Sequence, residues 1–79
     1  SIEYLLKFAL NWIGSNTNAW ENLNNWGCIN LPDANTDVFI KPGAAFFPVI
    51  NNNTIIRSLT VESGASVGIQ PAVQLTIIQ

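Results

Sequence analysis

Three tryptophans and an asparagine beside the last of them are the side chains of this sequence best suited to binding a ligand. Trp12, Trp20 and Trp26 lie close together in the chain, and Asn25 directly precedes Trp26. Exposed indole rings offer an apolar face and a polar edge, which suits stacking on sugar rings. On this hypothesis Trp20, Trp26 and Asn25 bind carbohydrate. The interpretation that we favour is that the rings are buried and close one end of a β-structure. We expect Trp20 to be the exception, because it lies alone in the most polar loop.

A short acidic segment, D-A-N-T-D, could supply oxygen ligands to a cation. Asp33, Asn35 and Asp37 are all oxygen donors of the type that calcium prefers. The segment lacks the glycine and the distant glutamate of a recognised calcium loop. The chain also has no histidine, the commonest metal ligand and general base. We therefore predict no metal site and no cofactor.

Candidate catalytic residues are scattered rather than grouped. Glu21 and Glu62 are isolated carboxylates, and Cys28 is the only cysteine, so it has no internal disulfide partner. We interpret Cys28 as a small buried thiol and the two glutamates as solvated surface residues. An enzyme needs a base, an acid or a nucleophile in one constellation. Because none assembles, we predict that the chain is not an enzyme.

Charge is scarce, with three basic and five acidic residues and a formal net charge of −2. A nucleic-acid-binding protein would need a basic patch, which Lys7, Lys41 and Arg57 do not form. The opening apolar run, Y-L-L-K-F-A-L, is too short for a membrane span and carries a lysine in its middle. The sequence therefore predicts neither a nucleic-acid partner nor membrane insertion.

The elements that would position these residues are most visible in residues 54–77. Three apolar triplets at 59–61, 67–69 and 75–77 follow one another at eight-residue intervals, separated by small residues. Alternation within each triplet is typical of a strand with one buried face. We expect the outer residues to point into one interior: Leu59, Val61, Val67, Ile69, Leu75 and Ile77. A fixed-period repeat of strand and tight corner predicts an all-β fold that begins a parallel β-solenoid (β-helix) with a Trp-rich N-terminal cap.

The rest of the chain is predicted to lead into these rungs within a single module, residues 1–79, which we take to be a piece of a longer chain. Residues 7–53 would form the cap and first strands, and residues 54–79 the β-rungs. We predict a strand over residues 7–13, a helical turn over residues 19–23 capped by Asn18, a strand over residues 37–40 with Val38 and Ile40 on one face, and an extended run over residues 46–50. The alternative fold is a small antiparallel β-sandwich, with E-S-G-A as a hairpin loop.

The order of short motifs resembles a known module. The chain carries W-x-G at Trp12, then Trp20, then N-W at Trp26, followed by L-P at 31–32, D-V-F-I at 37–40, P-V-I at 48–50 and S-L-T-V-x-S-G-A at 58–65. This pattern is similar to a capping module of secreted, repeat-rich surface proteins of Bacteroidetes-type bacteria, which precedes an adhesin-like β-solenoid. The chain departs from it in its apolar N-terminal stretch and at Cys28, Gly68 and Val73.

The resemblance implies a non-catalytic structural or adhesive module in an extracellular or cell-surface protein. It brings no catalytic residues. It implies neighbouring β-rungs of the same longer chain as partners, with surface glycans or host components as further candidates. The alternative function is a carbohydrate-binding module that uses exposed tryptophan and asparagine side chains.

Overall fold

The structure, a computed structural model, describes residues 8–26 and 31–78. The predicted start of the first strand at Lys7 and the interpretation of Cys28 lie outside these residues. The described chain is all-β, made of short strands and loops with one 3-10 turn at Leu23–Asn25. The strands are β1 (Phe8–Asn11), β2 (Thr36–Ile40), β3 (Val49–Ile50), β4 (Thr54–Ile56), β5 (Ser58–Val61), β6 (Gly68–Ile69) and β7 (Leu75–Ile77).

The strands fall into three layers along the chain. The first layer, residues 8–26, contains β1; the second, residues 36–56, contains β2, β3 and β4; the third, residues 58–77, contains β5, β6 and β7. Each strand of the third layer pairs in parallel with one strand of the second: β5 with β2, β6 with β3, and β7 with β4. Below them, β1 pairs in parallel with β2, and Ala19 forms a bridge with Val49 of β3.

The pairing register repeats at nearly constant chain separation. Val38 pairs with Leu59 and Ile56 with Ile77 at the same separation, whereas Ile50 and Ile69 lie slightly closer along the chain. Corners repeat with the strands. Gly43 and Gly64 both have positive φ, 99° and 89°, and both are followed by an alanine that packs against the core. The second and third layers are therefore an internal repeat.

The predicted eight-residue rung is wrong. The triplet at 59–61 lies in β5, the triplet at 75–77 is β7, and the triplet at 67–69 consists of β6 and the residue before it. The three triplets therefore belong to one layer, although their strands lie in three different sheets. The eight-residue interval separates successive sides of that layer. The interval between paired strands is more than twice as long.

The core lies between the three small sheets and below the third layer. Val38, Ile40, Ile50 and Ile56 have no exposed surface. Along β2, buried and half-buried residues alternate, which confirms the prediction that Val38 and Ile40 share one face. Each fully buried aliphatic side chain contributes roughly 1.5–3 kcal/mol through removal of its surface from water.

The expected single interior is confirmed for half of the predicted set. Leu59, Val67 and Leu75 pack against the core, but Val61, Ile69 and Ile77 are 39%, 47% and 46% exposed. These three residues pair in register with the buried Ile40, Ile50 and Ile56, so each shares a face with its partner. They remain exposed because no described residue covers the far side of the third layer.

The strand predicted over residues 7–13 ends earlier, at Asn11. The amide of Trp12 still donates to the carbonyl of Phe39 at 3.0 Å. The next two amides, of Ile13 and Gly14, donate instead to the carbonyl of Asn25, at 2.7 and 3.3 Å. The chain thus leaves the ladder to close the loop.

The helical turn predicted over residues 19–23 is displaced to Leu23–Asn25. Its cap is Asn22, whose side-chain oxygen accepts from the amide of Asn24 at 2.9 Å. Asn18, the predicted cap, uses its carbonyl to accept from the amide of Val49 at 2.7 Å. The extended run predicted over residues 46–50 contains a strand only at Val49–Ile50.

Candidate functional site

The three tryptophans form one buried cluster. Trp12, Trp20 and Trp26 are only 5%, 3% and 2% exposed. The rings of Trp12 and Trp26 meet edge to face, 5.1 Å between centroids at 81°. Trp20 and Trp26 meet in the same way, at 4.9 Å and 78°. Such pairs add roughly 0.5–1.5 kcal/mol beyond the burial of their area.

Two of the indole N–H groups bind backbone carbonyls inside the fold. Trp12 Nε1 donates to the carbonyl of Phe46, and Trp26 Nε1 donates to that of Trp20, both at 2.7 Å. A buried indole N–H that lacked such a partner would lower the stability of the fold by about 1–3 kcal/mol. The cluster therefore ties the first layer to itself and to the segment before β3.

Asn25 holds the loop around the tryptophans. Its side chain is fully buried, and its oxygen accepts from the amides of Asn16 and Thr17 at 3.3 and 3.2 Å. Its amide group donates to Thr17 Oγ1 and to the carbonyl of Ala19, at 3.1 and 3.0 Å. Through these bonds Asn25 fixes the conformation of the turn.

The carbohydrate hypothesis for Trp20, Trp26 and Asn25 requires at least two exposed, roughly coplanar rings. In the structure the rings are buried and nearly perpendicular, and Asn25 is occupied within the loop. The expectation that Trp20 would be the exposed exception is wrong. Its amide donates to the carbonyl of Val49 at 3.3 Å, which draws this part of the polar loop onto β3.

The acidic residues of D-A-N-T-D have separate structural partners. Asp33 accepts from the amide of Asn35 at 2.8 Å and from Thr36 Oγ1 at 3.1 Å, which fixes the turn before β2. Asp37 accepts from Ser58 Oγ at 2.7 Å and from Arg57 at 3.3 Å. Within residues 8–26 and 31–78, no three acidic or cysteine side chains lie close enough together to hold a metal ion.

A groove of about 460 Å³ lies beside β4. It is lined by Trp20 and Glu21, by residues 31–34 and by residues 52–55. Asn51 Nδ2 donates to the two carboxylate oxygens of Glu21, one of the lining residues, at 3.4 Å each.

The outer edge, which we define as β5, β6 and β7, is the candidate functional site. Each of these strands is the last one of its sheet. Their residues include no charged side chain and no proline. Sheet edges that must stay unpaired are typically protected by lysine, proline or inward charges. The outer edge instead presents Val61, Ile69 and Ile77 beside the more exposed Ile78.

The opposite side of the second layer differs, because described residues of the first layer cover it. There β1 lies against β2 and Ala19 against β3, with the tryptophan cluster beneath. The described layers thus have one covered side and one open side. Sequence patterns missed the open side, although the repeated G-A corners at 43–44 and 64–65 would have revealed the longer period.

A family model described as a domain of unknown function (DUF8693) matches residues 11–79. No curated protein and no solved structure matches the chain. In the described part of the chain, no helix is long and apolar enough to cross a membrane.

Proposed function

Because the chain belongs to this DUF8693 family, whose function is unknown, we propose a role from the geometry: a non-catalytic structural or adhesive module of a secreted or cell-surface bacterial protein. The observation that carries the proposal is the stacking of two layers whose three strand pairs are all parallel and in register. In a solenoid each repeat packs only against the repeats beside it, and parallel pairs of this kind support that organisation here.

On this proposal the described layers begin a parallel β-solenoid. The first layer acts as its N-terminal cap, since its tryptophans fill the space below the second layer. Solenoids require an end that covers both the core and the strand edges, because an exposed end aggregates. The intramolecular bonds of Trp12, Trp26 and Asn25 support a structural role for these residues.

The proposed partners are neighbouring strands of the same longer chain, which would meet the outer edge. Surface glycans or host components would then contact the sides of the layers rather than the tryptophans. The low formal charge and the many exposed asparagines are compatible with an extracellular surface of this kind.

Cell-surface location has a direct test. Antibodies raised against the folded chain should label intact bacterial cells that produce the parent protein. An antibody to a cytosolic protein, which should label the same cells only after permeabilisation, is the control. Labelling of the parent protein only after permeabilisation would contradict the proposal.

Tryptophan fluorescence separates the capping role from the carbohydrate-binding alternative. Buried indoles should emit at short wavelength, be quenched poorly by acrylamide and be unaffected by oligosaccharides. Red-shifted, readily quenched emission that changes when oligosaccharide is added would instead support a carbohydrate-binding module.

A further inference from the structure

The second and third layers differ in burial although they share the same pattern. Ile40, Ile50 and Ile56 are fully buried, whereas their register partners Val61, Ile69 and Ile77 are 39%, 47% and 46% exposed. The second layer has described chain on both sides of it, and the third has it on one side only. The difference in exposure follows from what covers each layer.

The structure also contains one example of how such an edge is covered. The third layer lies on the second with aliphatic residues in register, Leu59 beside Val38 and Ile69 beside Ile50. The corners stack as well: a Cβ built on Gly64 would lie 3.2 Å from Cβ of Pro42. Ladder bonds then connect the layers, such as the amide of Glu62 to the carbonyl of Ile40 at 2.9 Å.

We propose that the outer edge is the docking surface for one further layer with this same chemistry. The occupant is an extended three-strand segment whose aliphatic residues lie beside Val61, Ile69 and Ile77. Its small-residue corner lies on Gly64 and Ala65. Its strands run parallel to β5 and β7, at the same chain offset that separates these strands from β2 and β4. This inference rests on the proposed solenoid organisation.

The repeat favours this occupant over a second copy of the chain. Two copies related by a two-fold axis would present their edges antiparallel to each other. That arrangement would not continue the parallel ladders β2–β5, β3–β6 and β4–β7. A further layer of the same kind continues all three ladders at once and adds no unpaired charge to the interface.

The test uses a fusion in which a second copy of residues 58–78 replaces Gln79 and follows Ile78 directly. This length gives each copied residue the same offset from its original that Leu59 has from Val38. Amide hydrogen exchange is measured along the fusion and along the unextended chain. Amides in the copied strands should exchange at least about tenfold more slowly than in an unstructured peptide.

Two variants of the fusion serve as controls. In the first, Ile69→Lys and Ile77→Lys are made in the original third layer only. Because both side chains are already about half exposed, the host layers should stay protected while the copied strands lose their protection. In the second, the copied residues alone carry aspartate in place of the isoleucines at the same two positions, which should abolish docking at unchanged length.

The outcomes separate the inference from the function on which it rests. Copied strands that exchange like an unstructured peptide, while β2–β5, β3–β6 and β4–β7 remain protected, would overturn the inference alone. Loss of protection at those three pairs in the unextended chain would overturn the solenoid organisation itself. A dimer of the unextended chain with antiparallel contacts along β5, β6 or β7 would assign the edge to a second copy and would also overturn the inference.

Discussion

Ile56 and Ile77 form a natural pair for measuring what a covering layer contributes to stability. They are chemically identical and adjacent in the β4–β7 register, but Ile56 is fully buried and Ile77 is 46% exposed. Ile56→Ala should cost about 2–5 kcal/mol, because it removes buried methylenes and leaves a cavity. Ile77→Ala should cost about 1 kcal/mol, roughly half the value of full burial, since solvent already reaches the site.

Urea unfolding followed by tryptophan fluorescence measures both losses. A chain of this length has about 4–12 kcal/mol of total stability, so Ile56→Ala could leave too little folded protein to measure. Ile56→Val is the milder variant and should cost about 0.5–1.5 kcal/mol. Equal losses for the two alanine variants, at unchanged denaturant slope, would refute the claim that only the second layer is covered on both sides.

Three further predictions concern Asn25, Gly14 and the acidic residues. Asn25→Ala should destabilise the chain by about 1–3 kcal/mol in the same urea assay, because it removes the four hydrogen bonds of a fully buried side chain; the exposed Asn24→Ala should change stability by less than about 0.5 kcal/mol. Gly14→Ala should be much more destabilising than Gly43→Ala in thermal melts, because both have positive φ but only at Gly14 would a Cβ clash, with the carbonyl of Phe46 and the indole nitrogen of Trp12. Millimolar calcium should leave the melting temperature unchanged; a rise that Asp37→Asn abolishes would contradict the prediction that Asp33, Asn35 and Asp37 form no calcium site.

Strand faces could be predicted from the sequence, but pairing partners could not. Alternation placed Val38 and Ile40 correctly on a buried face, because the side-chain period of a strand is a local property. Pairing depends on corner lengths, which differ here: the β3–β6 partners lie closer along the chain than those of the other two pairs. The regular eight-residue spacing within one layer therefore concealed the less regular repeat between layers.

Burial of the cap was predictable in part. Three closely spaced tryptophans pointed to a buried cluster, and all three are buried. Trp20 was expected to be exposed because it lies among polar residues. Its burial depends on the distant Val49 and on the hydrogen bonds of Asn25, neither of which has a local sequence signal.

Long-range NMR contacts between methyl groups test the central claim most directly. Stacked parallel layers predict contacts of Ile50 with Ile69, of Ile56 with Ile77 and of Val38 with Leu59. The antiparallel sandwich predicts instead close Hα–Hα contacts between residues 59–61 and 67–69, across a hairpin at E-S-G-A. Observation of the three methyl contacts without the hairpin contacts is the expected result, and the reverse pattern would contradict the layered fold and the structural role proposed from it.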